Sequence, residues 1–183
     1  MLKKILIILV ILAVVIVVSA AAWLSYMGFF AKVTVIERKM GPLTFVYMPF
    51  KGDYAKTVPV FEAVRNKLAK EFNVRNVEGM GIYYSDPKAT KKEALRSDIG
   101  CLLERADALR ADEIMKRMKV RIMFPKKYCT AEFPIKNQMS IILGIIKVYP
   151  EITKYMKTKG YRMTPAMEIY EKGKIIYAFE IKK

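Results

Sequence analysis

The stretch MGIYYSDP, Met80–Pro87, has a counterpart in AMEIYEKG, Ala166–Gly173. Setting Tyr83-Tyr84 over Ile169-Tyr170 places Ile82 opposite Glu168, an offset of 86 residues (168 − 82). Upstream, Pro49-Phe50-Lys51-Gly52 sits over Pro134-Ile135-Lys136-Asn137 at an offset of 85 (134 − 49). Two motifs at almost one offset predict a duplicated unit whose copies pack around a pseudo-twofold axis. The copies differ at one charge, Glu168 against Ile82, and that carboxylate is the first candidate for function.

Working outward, each half reads strand–strand–helix–strand–strand. In the first half, strands fit Val33–Lys39, Leu43–Phe50, Gly81–Ser85 and Ile99–Glu104, with turns at Met40-Gly41-Pro42 and Gly52-Asp53. A helix is expected from Thr57 to Phe72. There Val58, Phe61, Val64, Leu68 and Phe72 recur at three- and four-residue spacing, and Glu62, Arg65, Asn66 and Lys70 fill the other face. Thr57 suits an N-cap, and Pro59 is tolerated in the first turn.

After a short connecting helix at residues 108–118, the second half offers strands at Lys119–Phe124, Tyr128–Ile135, Ala166–Glu171 and Lys174–Ile181, with a helical region ending near Gly160. Its middle connection is longer: 16 residues from Pro134 to Pro150, against 10 from Pro49 to Pro59. The excess holds the apolar run Ile141–Ile146. It reads first as core packing in an added helical segment kinked at Pro150, and second as an apolar loop dipping towards a membrane. The expected fold class is α+β: duplicated β-β-α-β-β units with pseudo-twofold symmetry, repeat one at about 32–105 and repeat two at about 119–183, preceded by one transmembrane helix.

That helix is read from the absence of any charged residue between Ile5 and Ala31. About 20 apolar residues suffice to cross a bilayer. Trp23, Tyr26, Phe29 and Phe30 gather at the distal end, where aromatic rings favour the headgroup region. Residues 1–31 are therefore expected to be a membrane anchor, and residues 32–183 the folded domain. The rival reading is a cleaved signal peptide, with Lys3-Lys4 as its basic start and Ser19-Ala20-Ala21-Ala22 as its cleavage site. The apolar character runs on to Phe30, farther than such a peptide needs. Lys3 and Lys4 nearly balance Lys32, Arg38 and Lys39 across the span, and their likeness to an export signal leans the domain to the outside of the cytoplasm.

Beyond the anchor, 31 Lys and Arg face 17 Asp and Glu, a net charge of +14 (31 − 17). Basic pairs such as Lys91-Lys92, Lys126-Lys127 and Lys182-Lys183 are scattered rather than gathered on one helix face, and no nucleic-acid motif accompanies them. An anionic lipid surface is the expected electrostatic partner, each nearby basic residue gaining about 1 kcal/mol there; a nucleic-acid partner is not expected. The sequence has no histidine, which excludes histidine-based triads. With no CxxC pair either, no metal site and no cofactor are expected. Cys101 and Cys129 lie in apolar stretches of two strands and read as inert buried thiols, a disulfide being the alternative for an exported domain.

The residues resemble the GyrI-like ligand-binding domain family. The resemblance rests on Tyr47, Lys51-Gly52-Asp53-Tyr54, Gly81–Pro87, Leu95-Arg96-Ser97-Asp98-Ile99-Gly100 and Met167-Glu168-Ile169-Tyr170, and it covers essentially all of residues 32–183. In layout the chain is similar to the single-pass reticulophagy receptor type that carries this domain after a membrane helix. The adaptor function of that type, exerted through a C-terminal tail, is not expected to carry over. What the resemblance implies is a groove at the twofold axis that binds small amphipathic, often cationic molecules, with Glu168 matching the family's buried glutamate.

Period-two alternation along Ala166–Tyr170 puts Met167 and Ile169 on one face, expected to pack on the helix, and Glu168 and Tyr170 on the other, facing the groove. The expected ligand-binding set is Glu168, Tyr170, Tyr84, Ile82, Tyr47 and Tyr54, with no catalytic residue assigned. A solvated Glu168, or one paired with a lysine, is the plain alternative, and Asp98 reads as a turn or capping residue. Two other functions compete. One is hydrolysis of reactive small molecules with Glu168 as general base and Tyr84 or Tyr170 as donors. The other is a membrane-surface interaction protein with no ligand.

Overall fold

The computed structural model describes residues 2–183. The first helix, α1 (Leu2–Tyr26), is long and apolar enough to cross a membrane, and none of its span is buried in the protein. At 1.5 Å per residue its 25 residues reach about 37 Å, more than the ~30 Å hydrocarbon thickness of a bilayer. Its end is not free of the domain. Met27 is buried, and a methyl group on Gly28 would lie 3.2 Å from the Phe133 ring.

Eight strands follow: β1 (Ile36–Met40), β2 (Leu43–Lys51), β3 (Val77–Tyr83), β4 (Arg96–Leu103), β5 (Lys119–Met123), β6 (Lys126–Pro134), β7 (Ala166–Glu171) and β8 (Lys174–Glu180). They form one antiparallel sheet in the order β1-β6-β8-β7-β3-β4-β2-β5. Exchanging each strand with the one four places along reproduces that order. β3 and β7 lie at its centre, and the first strand of each half pairs with the second strand of the other.

Helix α2 (Val58–Phe72) buries Val64, Leu68 and Phe72 against Val46, Cys101 and Leu103 of β2 and β4. Val58, expected in that apolar stripe, is 59% exposed. The expected connecting helix is two short ones, α3 (Arg105–Ala108) and α4 (Ala111–Met115). Helix α5 (Gln138–Thr158) begins at Asn137, whose side chain accepts from the Ser140 N–H. It buries Val148, Ile152 and Met156 against β6 and β8. The apolar run Ile141–Ile146 is neither a separate segment nor a loop, because α5 continues unbroken through Pro150.

Both helices lie on one face of the sheet, one over each half. Among the described residues the other face carries no helix, yet Phe45, Met80, Ile82, Tyr128, Met167, Ile169 and Ile176 are all buried there. Curling of the sheet explains this. Met40 of β1 and Met123 of β5, from opposite edges, pack into the same cluster. Cys101 and Cys129 are free, buried thiols on β4 and β6, each pushed up to about 11 by burial.

Candidate functional site

The central ladder corrects the alignment of the two motifs. Gly81 pairs with Glu168, Ile82 with Met167, and Met80 with Ile169. Directly opposed residues in an antiparallel pair share a face. Gly81 and Glu168 therefore face one way, Ile82 and Met167 the other. The two tyrosines whose hydroxyls meet across β3 and β7, Tyr83 and Tyr170, are 87 residues apart rather than 86. A slip of one residue reverses every side chain, so the residue opposite Glu168 in the ladder is Gly81 and not Ile82.

The consequence is a correction to two expectations. Met167 and Ile169 do not pack on a helix; they are buried on the helix-free face. Ile82, Tyr84 and Tyr47 belong to that same face, away from Glu168. Tyr84 donates to Asp98 Oδ2 at 2.6 Å, and the same oxygen takes Arg121 Nη2 at 2.6 Å. The Arg121 guanidinium lies 4.8 Å from the centre of the Tyr47 ring. Asp98 is thus a buried strand residue in an ion pair, not a turn or cap.

Glu168 faces the helices. Only 3% of its surface is exposed, and its two oxygens have separate donors. Tyr149, from α5, donates to Oε1 at 2.6 Å; Tyr170, two residues along β7, donates to Oε2 at 2.5 Å. Tyr170 has one hydroxyl hydrogen, and Glu168 uses it. The 3.2 Å contact between the Tyr83 and Tyr170 hydroxyls must then be donated by Tyr83. A relay runs from Tyr83 to Tyr170 to Glu168, with Tyr149 closing it from the other side. Phe61 of α2 meets the Tyr170 ring edge-on at 5.3 Å, and Tyr54 meets Tyr83 at 4.8 Å. The site is an aromatic floor between α2 and α5 with one carboxylate beneath it.

Two glycines make the room. A methyl group at Gly81 would sit 2.8 Å from the Tyr83 ring, and one at Gly144 of α5 would sit 2.5 Å from the Tyr177 hydroxyl. Tyr177 faces Glu168 across β7 and β8, and its buried hydroxyl has no hydrogen-bond partner among the described residues.

Burial raises the Glu168 carboxyl above its ordinary range, opposed in part by the two tyrosine donors. Burial and the Glu168 charge together hold Tyr149 and Tyr170 well above the ordinary phenol value. Among the described residues no lysine or arginine comes within ion-pair distance of Glu168, so the lysine-paired alternative does not describe it.

Of the six expected site residues, the structure gathers Glu168, Tyr170 and Tyr54 on the helix face and separates Ile82, Tyr84 and Tyr47 from them. Sequence reasoning missed Tyr83, Tyr149 and Phe61. Tyr83 was legible in the same motif and lost to the one-residue slip. Phe61 was read only as core. Tyr149 lies beyond the apolar run, after Lys147, and carried no signal of its own.

Residues 34–174 match the GyrI-like small molecule binding domain. The chain belongs to that family. Among curated proteins, the GyrI-like chain is 24% identical over 162 residues to the mouse testis-expressed protein 264 homolog, with 84% of this chain and 50% of that protein covered. It is 23% identical to human testis-expressed protein 264 over the same length. The chain spans about half the length of these curated relatives. Among solved structures, the EcmrR C-terminal domain superposes with a TM-score of 0.59 at 10% identity, over 82% of this chain and 98% of that one. SAV2435 bound to tetraphenylphosphonium gives 0.50 at 11% identity, over 81% and 94%. At such identities these structures speak for the fold.

Proposed function

We propose that this GyrI-like chain is a membrane-anchored binding module, residues 1–31 forming the anchor and residues 32–183 a domain of two β-β-α-β-β repeats. Between α2 and α5 it takes a small amphipathic cation. The observation that carries this reading is Glu168: a buried carboxylate, bonded only to tyrosine hydroxyls, with no cationic partner among the described residues. Such a charge is costly until a counter-charge arrives. A lipophilic cation supplies one while its apolar groups cover Phe61 and Tyr83, and ring faces add about 0.5–2 kcal/mol of cation–π attraction. A relative of this fold holds tetraphenylphosphonium, a molecule of that class.

Hydrolysis fits this geometry less well. Both Glu168 oxygens accept from tyrosines and only 3% of the residue is exposed, so a water to be activated has to share a buried carboxylate with two phenol donors.

Calorimetric titration of the full chain in lipid nanodiscs with tetraphenylphosphonium tests the binding reading. The wild type binds, and Glu168→Gln binds at least tenfold more weakly, about 1.4 kcal/mol or more. Equal affinity in the two proteins refutes the role of Glu168. Affinity also rises with pH up to the carboxyl's raised pKa and is flat above it, because the cation binds the ionised form.

A further inference from the structure

The first turns of α5 carry an apolar stripe that faces outward. Met139, Ile142, Ile145 and Ile146 are 48%, 46%, 43% and 62% exposed, at the spacing of one helix face. No charged residue interrupts the chain from Asn137 to Ile146. The stripe adjoins the end of α1. Lys147 donates through Nζ to the Phe29 carbonyl at 2.5 Å and the Ala31 carbonyl at 2.6 Å, and Lys136 lies 5.8 Å from the Tyr26 ring centre. Lys32, Val33, Ile146, Lys147, Pro150 and the exposed Glu151 line one shallow depression, in which two lysines outnumber the one carboxylate. Phe29 and Phe30, exposed at the same level, extend the apolar surface. The start of α5 is therefore held at the depth of Tyr26–Ala31, where the apolar helix ends.

We propose that the N-terminal half of α5 is a membrane-docking surface. Its stripe enters the acyl boundary of an anionic phospholipid leaflet, with Lys32, Lys136 and Lys147 at the phosphate level. This rests on the anchoring of α1 proposed above. An amphipathic helix with flanking lysines lies in that layer for two reasons: its apolar face leaves water, and its cations meet lipid phosphates. Tyr149, a Glu168 donor, stands one helical turn beyond Ile145, so docking places the candidate groove beside the interface in which amphipathic molecules concentrate.

Single-tryptophan depth measurements on the full chain test it, using vesicles of phosphatidylcholine and phosphatidylserine with and without brominated acyl chains. Trp23 is the protein's one tryptophan and reports on α1 directly. Ile142→Trp in a Trp23→Phe background reports on the stripe, and Leu109→Trp in that background reports on a site 87% exposed. Docking requires the Ile142→Trp reporter to shift to the blue and to be quenched by brominated lipid as Trp23 is, with the Leu109→Trp reporter unquenched. A water-like, unquenched Ile142→Trp reporter beside a quenched Trp23 overturns docking and leaves the anchor standing. A blue-shifted but unquenched one also overturns it, in favour of a protein covering the stripe. Loss of quenching at Trp23 itself overturns the anchor and docking together. Equal quenching without phosphatidylserine removes the lysines from the proposal.

Discussion

Glu168→Gln separates two opposing forces whose sum decides how the site depends on pH. Ionised and buried, Glu168 loses hydration at a cost of several kcal/mol, while each charge-assisted bond from Tyr149 and Tyr170 returns about 1.5–3 kcal/mol. The carboxyl is raised above 4.5, so burial wins over the two donors. A carboxyl raised by folding binds its proton more tightly in the native state than in the unfolded one. Its contribution is thus fully present below 4.5 and is lost as pH climbs through the folded value.

Within that window the native state holds one proton more than the unfolded state. Stability should therefore fall by up to about 1.4 kcal/mol per pH unit from this group alone. The many other carboxylates and lysines also titrate, so the quantity to measure is the difference between wild type and variant. Urea denaturation of both full-length proteins in nanodiscs, from pH 4 to pH 8, supplies it. The wild type should lose stability relative to Glu168→Gln as pH rises, then run parallel to it. A difference that grows in favour of the wild type with pH would mean the tyrosine bonds outweigh desolvation, and the reasoning would be refuted.

Three further outcomes follow from the same geometry. Gly81→Ala drives a methyl group into the Tyr83 ring at 2.8 Å; it should destabilise the chain by about 1–3 kcal/mol and weaken tetraphenylphosphonium binding, and unchanged urea midpoint and affinity would count against the packing described. Tyr177→Phe removes a buried hydroxyl that lacks a partner and should raise stability by about 1 kcal/mol, whereas a loss of that size would show that the hydroxyl is satisfied in solution. Cys101 and Cys129, with thiols held near 11 and buried, should resist an aromatic disulfide reagent at pH 8, where about one thiol in a thousand is ionised, and react on unfolding; rapid native labelling would contradict their burial.

Much of the fold was legible because local patterns carry it. The strands at Ala166–Glu171 and Lys174–Glu180, the helix ending at Phe72 and the apolar first helix all follow from periodicity and turn residues. Boundaries moved where neighbours decide them. β3 begins at Val77 rather than Gly81, because the extra residues pair with β4 and β7. The continuity of α5 through Pro150 was likewise not written in the run itself. The proline stands on an exposed face, and burial of Val148, Ile152 and Met156 holds the helix together on either side of it.

The sequence by itself determined that one copy of the central motif carries a carboxylate where the other carries none, that no histidine chemistry surrounds it, and that an apolar helix precedes the domain. Tertiary structure alone decided what Glu168 faces. Side chains on a strand alternate with a period of two, so an offset of 87 residues, which sets Met80, Ile82 and Tyr83 over Met167, Ile169 and Tyr170, gives the opposite face from an offset of 86, which matches only Tyr84 to Tyr170. The pairing of Gly81 with Glu168 agrees with the offset of 87. It takes Ile82, Tyr84 and Tyr47 away from the carboxylate and brings Tyr83 to it, while the packing of α5 on β6 and β8 delivers Tyr149 from 19 residues earlier in the chain.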